Sequence, residues 1–365
     1  MESPSAIALD ALPASFAASA SQETAADVFA TADWFRHLHQ HGFDSPPELH
    51  VYTVHDGGAE SPRISYLPLY CERAGCLRSL TNQYSIHYAA PFPNGHGSAV
   101  SESLVKLIAE ETPSWSELDI RCLRAHAQPT IDLASGLERA GWSVFADHQT
   151  WNWSATVAGL SYSAFLAQRP GQLRSTLKRK GRRAASTHRV AFRILRDTNG
   201  LAQAIEDYQR IYEKCWKLPE RCPRFIPGLM QLCAQSGALR LGLLYLDGQP
   251  AAAQFWIVSR DTAYIYKLAH DRDFDDISAG TLLSGAMFEY ALDEDKVAKI
   301  DFGVGDEPYK QDWMDHRDQL IRLRAFNTRT LRGRLRAARL HVRHVLRRAG
   351  FRSYTPLAHK RQSDR

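Results

Sequence analysis

The segment ALRLGLLYLDGQPAAAQFWIV (238–258) consists of two apolar runs, 238–246 and 250–258, separated by Asp247-Gly248 and Gln249. Asp-Gly is a common pair in tight turns with positive backbone φ, and between two apolar runs of strand length it predicts a β-hairpin. The run TAYIYKLAH (262–270) follows at once and extends the hairpin to a three-stranded meander. This part of the chain therefore forms an antiparallel sheet.

A helix and a further strand follow the meander. AGTLLSGAMFEYAL (279–292) has the length and composition of a helix, and VAKIDF (297–302) those of a short buried strand. Upstream, the strand VAFRIL (190–195) and two helices near 199–216 and 224–236 precede the hairpin. Strands, then a helix, then a strand indicate an α+β unit.

The first half of the chain has a similar order of elements. We predict strands at 49–55, 63–71, 117–123 and 142–153, with helices near 31–40, 99–110 and 132–140. The fold class is therefore α+β, with two similar domains and mixed sheets. The predicted divisions are a disordered leader (1–26), an N-terminal domain (27–158), a C-terminal domain (159–328), and a basic amphipathic helix with a tail (329–365).

Composition excludes several classes of protein. The six cysteines form no CxxC or His/Cys cluster, so we expect neither a disulfide framework nor a metal site. The N-terminus lacks the basic and apolar regions of a signal peptide. No run approaches the roughly 18 apolar residues of a spanning helix. We expect a cytoplasmic protein with reduced thiols.

Two short motifs have misleading matches. Asp301-Phe302-Gly303 and His316-Arg317-Asp318 have the letters of the kinase DFG and HRD motifs, but in the reverse order and without a glycine-rich loop. His37 and His41 are four residues apart on a predicted helix, but no HExxH glutamate accompanies them. We interpret these as chance matches and surface histidines.

The start of the predicted helix at 279 has features of an anion site. Ser278-Ala279-Gly280-Thr281 are small residues, and such residues leave the backbone N–H groups of a helix N-terminus accessible to a phosphate. An ordinary capped helix has the same composition. Four nearby acids, Asp271, Asp273, Asp275 and Asp276, would repel a phosphate unless they point away.

The stretch IDFGVGDEPYKQDW (300–313) concentrates reactive side chains after the last strand. They belong either to a reactive site or to a glycine turn whose charges pair with one another.

Residues 264–333 resemble the CelD-type branch of the GNAT acyltransferase superfamily. The similarity lies in Tyr266-Lys267-Leu268-Ala269, in the Ser-x-Gly helix start, and in Asp301-Phe302-Gly303-x-Gly305-Asp306-x-x-Tyr309-Lys310-x-x-Trp313. Trp34-Phe35 and the segment 79–85 add weaker matches, so the similarity covers about 28–335. Ala279 stands where many relatives have proline.

This resemblance implies two tandem GNAT-like domains and acyl-CoA as co-substrate, with an amine or hydroxyl of a sugar, lipid or amino-acid-like acceptor. It implies no metal. The implied coenzyme-binding residues are Gln254, Lys267, Ser278, Ala279, Gly280 and Thr281. The implied substrate-binding residues are Asn82, Tyr84, Asp301 and Trp313.

The implied reaction gives roles to the stretch 300–313. Transfer of an acyl group from a thioester needs a base for the nucleophile and a proton for the thiolate. We predict Asp306 as the base and Tyr309 as the acid. Lys310 would bind an anionic group of the acceptor or balance the charge of Asp306.

Two other functions remain open. The segment QLRSTLKRKGRRAASTHR (172–189) has seven Lys or Arg residues and no acid. It is either a solvated helix face or a site for coenzyme A phosphates, an anionic acceptor or tRNA. Transfer from aminoacyl-tRNA, as in the related Fem enzymes, would use it in the last way. The third function is that of a catalytically inactive GNAT-fold module.

The C-terminal segment differs in charge from the rest. Residues 319–363 have thirteen Lys or Arg and no acid, and because the whole chain has a net charge of +5, the remainder is at −8. From Thr330 to Phe351 apolar residues recur at helical spacing: Leu331, Leu335, Ala338, Val342, Val345 and Leu346. Arg332, Arg336, Arg339, Arg343 and Arg347 cover other faces. We expect a basic amphipathic helix. It packs on the acidic body or lies on an anionic membrane, at its inner face. Binding to nucleic acid is the third alternative, and the lack of aromatic residues for base stacking disfavours it.

Overall fold

The computed structural model describes Leu9, Leu12 and residues 27–56, 63–89, 98–112 and 114–348. Most of the predicted leader (1–26), part of the first turn, and residues 349–365 of the tail lie outside the described residues. Leu9 and Leu12 are both buried in a hydrophobic core that also contains Trp34 and Phe35. No helix in the described ranges is both long and apolar enough to cross a membrane.

Eleven strands form one mixed sheet in the order β1-β2-β3-β4-β11-β5-β10-β9-β8-β7-β6. The strands are β1 (Leu49–Asp56), β2 (Arg63–Arg73), β3 (Cys76–Ser79), β4 (Glu117–Arg124), β5 (Trp142–Thr156), β6 (Val190–Leu195), β7 (Leu239–Leu246), β8 (Gln249–Ser259), β9 (Thr262–His270), β10 (Lys299–Val304) and β11 (His316–Asn327).

Nine α-helices occur among the described residues. They are α1 (Ala32–His41), α2 (Ser98–Glu110), α3 (Gln128–Arg139), α4 (Tyr162–Ala167), α5 (Gly171–Thr187), α6 (Leu201–Lys214), α7 (Phe225–Gln235), α8 (Ala279–Glu289) and α9 (Leu331–Arg348). The Thr31 hydroxyl accepts a hydrogen bond from the Trp34 N–H and caps α1, as its place before the first apolar turn predicts.

One arrangement occurs twice along the chain. A three-stranded antiparallel meander is followed by a helix and then by a strand parallel to the last strand of the meander. In the first half this unit is β1-β2-β3, α2 and β4; in the second it is β7-β8-β9, α8 and β10. The repeat confirms the predicted α+β fold with two similar halves, mixed sheets and a C-terminal helix.

Strand β11 was not predicted from the sequence, and neither was the short strand β3. Residues 316–327 lie between β4 and β5, antiparallel to both. The sheet therefore continues without a break across the predicted boundary at 158/159. Its arginines make this strand look like part of the basic tail in the sequence. In the sheet they are compensated, since Arg322 pairs with Asp119 of β4 and Arg324 with Asp147 of β5. The basic segment that the sequence presents as one tail is thus part sheet and part helix.

Each face of the sheet carries its own core. Two neighbouring residues of β11 show the division. Ala325 belongs to the core on one face, which is covered by α1, α2, α3, α6 and α7. Phe326 packs against α9 on the other face. Helices α4, α5 and α8 cover that second face beside the second half of the chain. Both faces of the central strands are therefore buried, as a sheet with helices on both sides requires.

Candidate functional site

Strands β9 and β10 pair over only three residues each and then diverge. Thr262, Ala263 and Tyr264 lie opposite Lys299, Ile300 and Asp301. Two residues beyond Asp301, Gly303 has φ +70°, a conformation that favours glycine, and the register of β10 against β5 shifts between Asp301 and Val304. This bulge keeps β10 with β5 and opens a cleft of about 160 Å³ beside β9.

The cleft is lined by both halves of the chain. Residues 265–268 of β9 and 302–304 of β10 form its walls, and residues 83–86 from the first half close one side. The charged or phenolic side chains at the cleft are Tyr84, Lys217, Tyr266, Lys267, Glu307, Tyr309 and Lys310. Three cations and one carboxylate give it a positive balance.

Lys217 lies in the loop after α6 and its ammonium donates a hydrogen bond to the Leu268 carbonyl of β9 at 2.6 Å. Burial, aided by the positive charge of Lys267, lowers the pKa of Lys217 to about 8. Lys217 is thus a half-buried cation whose pKa lies near 8, so it loses its proton just above neutral pH. Nothing in the sequence KLPE after Trp216 indicates this position, because it depends on the packing of the loop against β9.

Glu307 and Tyr309 bring acid–base groups to the mouth of the cleft. A carboxylate oxygen of Glu307 lies 3.0 Å from the Lys310 ammonium, which also donates to the Val304 carbonyl at 2.5 Å. The Tyr309 ring packs edge-on against Phe302, with ring centroids 5.6 Å apart. Burial, together with the charge of Glu307, raises the pKa of Tyr309 to about 12, so the phenol holds its proton at neutral pH.

Asp306 does not line the cleft. Its carboxylate accepts a hydrogen bond from the Trp153 indole N–H at 3.1 Å and forms an ion pair with Arg317. The expected charge balance between Lys310 and Asp306 is wrong, because the 3-10 turn at 308–312 directs the lysine to Glu307 and Val304. The neighbouring carboxylate, which sequence analysis did not select, is the one that faces the cleft.

Asp301 and Trp313 are buried beneath the site. Asp301 is 0% exposed and accepts hydrogen bonds from the Asn152 amide, the Gly303 N–H and the Arg124 guanidinium. Trp313 stacks on Phe288 at 4.3 Å between ring centroids. In this structure neither side chain reaches the cleft, although both belong to the stretch that the sequence singles out.

Tyr84 and Lys267 meet in the cleft, whereas Asn82 lies just outside it. The Lys267 ammonium forms an ion pair with Glu220 at 2.6 Å and lies 5.2 Å from the centre of the Tyr84 ring. Asn82 accepts a hydrogen bond from the Tyr84 N–H and lines a second cavity of about 460 Å³, which also contains Arg78, Arg121 and Arg221. Gln83 borders both cavities.

The N-terminus of α8 lies close to the end of β9. Ser278 has φ +57°, and the next residue, Ala279, is buried. A Cβ on Gly280 would lie 3.0 Å from the His270 ring. Gln254 is buried in β8 and donates to the Gly280 carbonyl at 3.2 Å and the Ser284 hydroxyl at 2.8 Å. Gln254 therefore anchors this helix start, and Thr281 lies in its first turn.

The four acids before α8 are each engaged by a cationic or imidazole group. Asp271 and Asp273 approach the Lys214 ammonium at 2.8 and 3.5 Å, Asp275 contacts His270 at 2.7 Å, and Asp276 contacts Arg183 at 2.6 Å. Arg183 belongs to α5, which packs beside α8. The basic segment predicted from 172–189 thus lies next to the small-residue helix start, with Lys178, Arg179 and Arg182 exposed.

No metal cluster occurs in the described part of the chain, where groups of three or more His, Cys, Asp or Glu side chains in ligand geometry are absent. His37 is buried and its Nε2 lies 2.8 Å from the Phe225 carbonyl oxygen. The prediction of a surface position for His37 is wrong, since α1 packs this histidine against α7.

Residues 171–311 match the family model described as an acetyltransferase (GNAT) domain. No curated protein matches the chain by sequence. Among solved structures, FemX is similar with a TM-score of 0.58 and 11% identity over 88% of this chain and 97% of its own. L-PGS from Bacillus licheniformis has a TM-score of 0.52 and 10% identity over 93% and 97%. A conserved protein of unknown function from Bacteroides thetaiotaomicron has a TM-score of 0.57 and 12% identity over 89% and 100%.

These likenesses extend over both halves and concern the fold. The match to the acetyltransferase model thus lies in the second half of the chain, and the matched residues contain β9, α8 and β10, the three elements that surround the cleft.

Proposed function

We propose that this protein transfers an acyl group from acyl-CoA to an amine or hydroxyl of a sugar, lipid or amino-acid-like acceptor, in the manner of the CelD-type enzymes that its sequence resembles. The observation that carries the proposal is the cleft where β9 and β10 diverge. It borders on residues of the matched acetyltransferase domain and holds the carboxylate of Glu307, the protonated phenol of Tyr309 and the half-buried ammonium of Lys217.

The surface beside α8 fits the phosphates of coenzyme A. Residues 278–281 at the start of α8 are all small, and Gly280 has no Cβ where one would lie 3.0 Å from the His270 ring. The acids that would repel phosphate are engaged, and exposed cations of α5 stand nearby. We propose that the backbone of 278–281 and the α5 cations hold the coenzyme. When bound, it supplies an activated acyl thioester.

Three side chains divide the work of the cleft. Glu307 accepts the proton of the attacking amine or hydroxyl, because it is the carboxylate at the mouth. Tyr309 holds a proton at neutral pH and gives it to the leaving thiolate. Lys217 places positive charge beside the Leu268 carbonyl on β9, where negative charge on the reacting acyl oxygen needs stabilisation.

The acceptor approaches from the side of the first half. Tyr84 lines the cleft, Asn82 lines the second cavity, and Gln83 borders both. Arg78, Arg121 and Arg221 in the second cavity would favour an acceptor with an anionic group.

A thermal shift assay tests the proposal. A non-hydrolysable acetyl-CoA analogue stabilises a protein that binds it by about 2.7 kcal/mol at one hundred times Kd. The melting temperature of wild type should rise with the analogue, and Gly280→Val, which places a branched side chain against the His270 ring at the helix start, should abolish the rise. The absence of a shift at saturating analogue would contradict acyl-CoA dependence.

Transfer from aminoacyl-tRNA is a second candidate, favoured by the exposed cations of α5. Phosphate contacts to RNA make binding steeply dependent on salt. Salt-sensitive binding of aminoacyl-tRNA that is lost in Lys178→Gln/Arg179→Gln/Arg182→Gln, without any response to acyl-CoA, would favour this candidate over the first.

A further inference from the structure

Helix α9 is held to the sheet along one narrow face. Gly333, Ala337 and Leu340 are buried, and the last two form a small core with Phe326 of β11 and the half-buried Phe145 of β5. Three polar contacts add to this core: Arg336 pairs with Glu117, His344 lies 2.9 Å from Asp147, and Arg332 donates a hydrogen bond to the Ala74 carbonyl at 2.7 Å. This face of α9 is therefore docked on the body, and the acids Glu117 and Asp147 have their partners on it.

The opposite face of α9 carries an exposed apolar stripe. Leu331, Leu335, Val342 and Val345 are 67%, 55%, 55% and 52% exposed. With Ala338, which is also exposed, they follow one another at intervals of four or three residues, so they lie on one line along the helix. At 100° per residue this line lies about half a turn from Ala337 and Leu340. Nothing in the described part of the chain covers it.

Arginines border the stripe on both sides. At helical spacing Arg339 and Arg343 lie on one side and Arg334 on the other, and all three are exposed. None of them has an acidic partner within the described ranges, and α9 itself has no Asp or Glu. An apolar line between two cationic edges complements a surface that is apolar inside and negatively charged at its border.

We infer that the exposed face of α9, defined by Leu331, Leu335, Ala338, Val342 and Val345, rests on an anionic phospholipid bilayer. The leucines and valines enter the boundary between headgroups and acyl chains, and the arginines extend to the phosphates. Among the described residues, the two acids of the body that pair with α9, Glu117 and Asp147, both contact its docked face. The arginines beside the exposed stripe are therefore not paired with this part of the body. Nucleic acid fits less well, since an apolar line occupies the centre of the face and α9 has no Phe, Tyr or Trp on which bases could stack.

Sedimentation with vesicles tests the inference on the full chain. Wild type should bind phosphatidylcholine vesicles that contain phosphatidylglycerol and should bind pure phosphatidylcholine vesicles weakly. Leu335→Glu/Val342→Glu should lower the partition coefficient at least tenfold. Both side chains are exposed, so the fold is retained, which circular dichroism and the melting temperature would verify. Arg339→Gln/Arg343→Gln should lower binding only to the anionic vesicles.

Phe192→Glu is the matched control. Phe192 is 47% exposed on the edge strand β6, and its change adds a negative charge to an exposed apolar side chain away from α9. Equal binding of wild type and Leu335→Glu/Val342→Glu to anionic vesicles would overturn the inference, as would the absence of binding by wild type. A dimer of wild type that becomes monomeric in the same variant, without vesicle binding, would assign the face to a second copy and overturn it as well.

Discussion

The Lys310 ammonium lies 3.0 Å from the Glu307 carboxylate at the mouth of the cleft. This ion pair places the acid that follows Asp306, and not Asp306 itself, beside the diverging strands. The adjacent carboxylates of the chain therefore have different surroundings, one in the cleft and one held by Arg317 and Trp153.

Glu307→Gln should lower kcat about 10²- to 10⁴-fold, because an amide cannot accept the proton of the acceptor. Asp306→Asn is the matched control and should cost less than tenfold, since the Asp306 carboxylate lies outside the cleft. Release of free coenzyme A thiol in the presence of an acceptor found by screening measures both. The reverse order of effects would return the role of base to Asp306.

Tyr309→Phe should lower kcat over a similar range, about 10²- to 10⁴-fold, because the change removes the phenolic hydroxyl that donates the proton. The ring contact with Phe302 is retained, so the melting temperature should stay within a few degrees of wild type. Binding of the acetyl-CoA analogue should also be unchanged. An unaltered kcat in this variant would exclude Tyr309 as the acid.

Lys217 should give the pH profile an alkaline limb. Its pKa of about 8 means that the cation is present below that pH and is lost above it, so kcat/KM should fall about tenfold for each pH unit above about 8. Lys217→Arg stays charged and should remove the limb, and Lys217→Met should lower the rate at every pH. A limb that persists in the arginine variant would assign it to another group.

Asp301→Ala should lower the free energy of unfolding by about 3–5 kcal/mol, because it leaves the Arg124 cation partly buried without its carboxylate. Asp318→Ala removes a half-exposed acid 4.0 Å from the same arginine and should cost less than about 1 kcal/mol. Urea denaturation measures both changes. Normal stability of Asp301→Ala combined with loss of acceptor binding would instead support a substrate contact.

His37 should make stability depend on pH. Burial lowers the pKa of His37 to about 4 from an ordinary value of 6.5. Between these values the unfolded chain binds a proton that the folded chain excludes, so stability falls as the pH drops from 6.5 towards 4, by about 3 kcal/mol in total. His37→Gln should flatten this part of the curve, whereas His126→Gln, at an exposed position, should leave it unchanged. Identical curves for all three proteins would refute the assignment.

The local elements of this protein were determined by its sequence. Asp247-Gly248 set the hairpin, Thr31 began α1, and alternating or helical spacing of apolar residues marked most strands and helices. These features depend on neighbours within a few residues, so period and turn chemistry suffice to predict them. The order of elements and the short motifs in 264–313 were enough to indicate the GNAT domain.

Only the tertiary structure decided which side chains share the cleft and where β11 lies. Lys217 enters the site because its loop packs on β9, and Glu307 replaces Asp306 because the turn at 308–312 brings Lys310 back to it. Strand β11 looks like part of a basic tail until Asp119 and Asp147 supply partners for its arginines. Charge compensation and strand pairing between residues far apart in the chain carry no local signal, so they follow from the assembled fold alone.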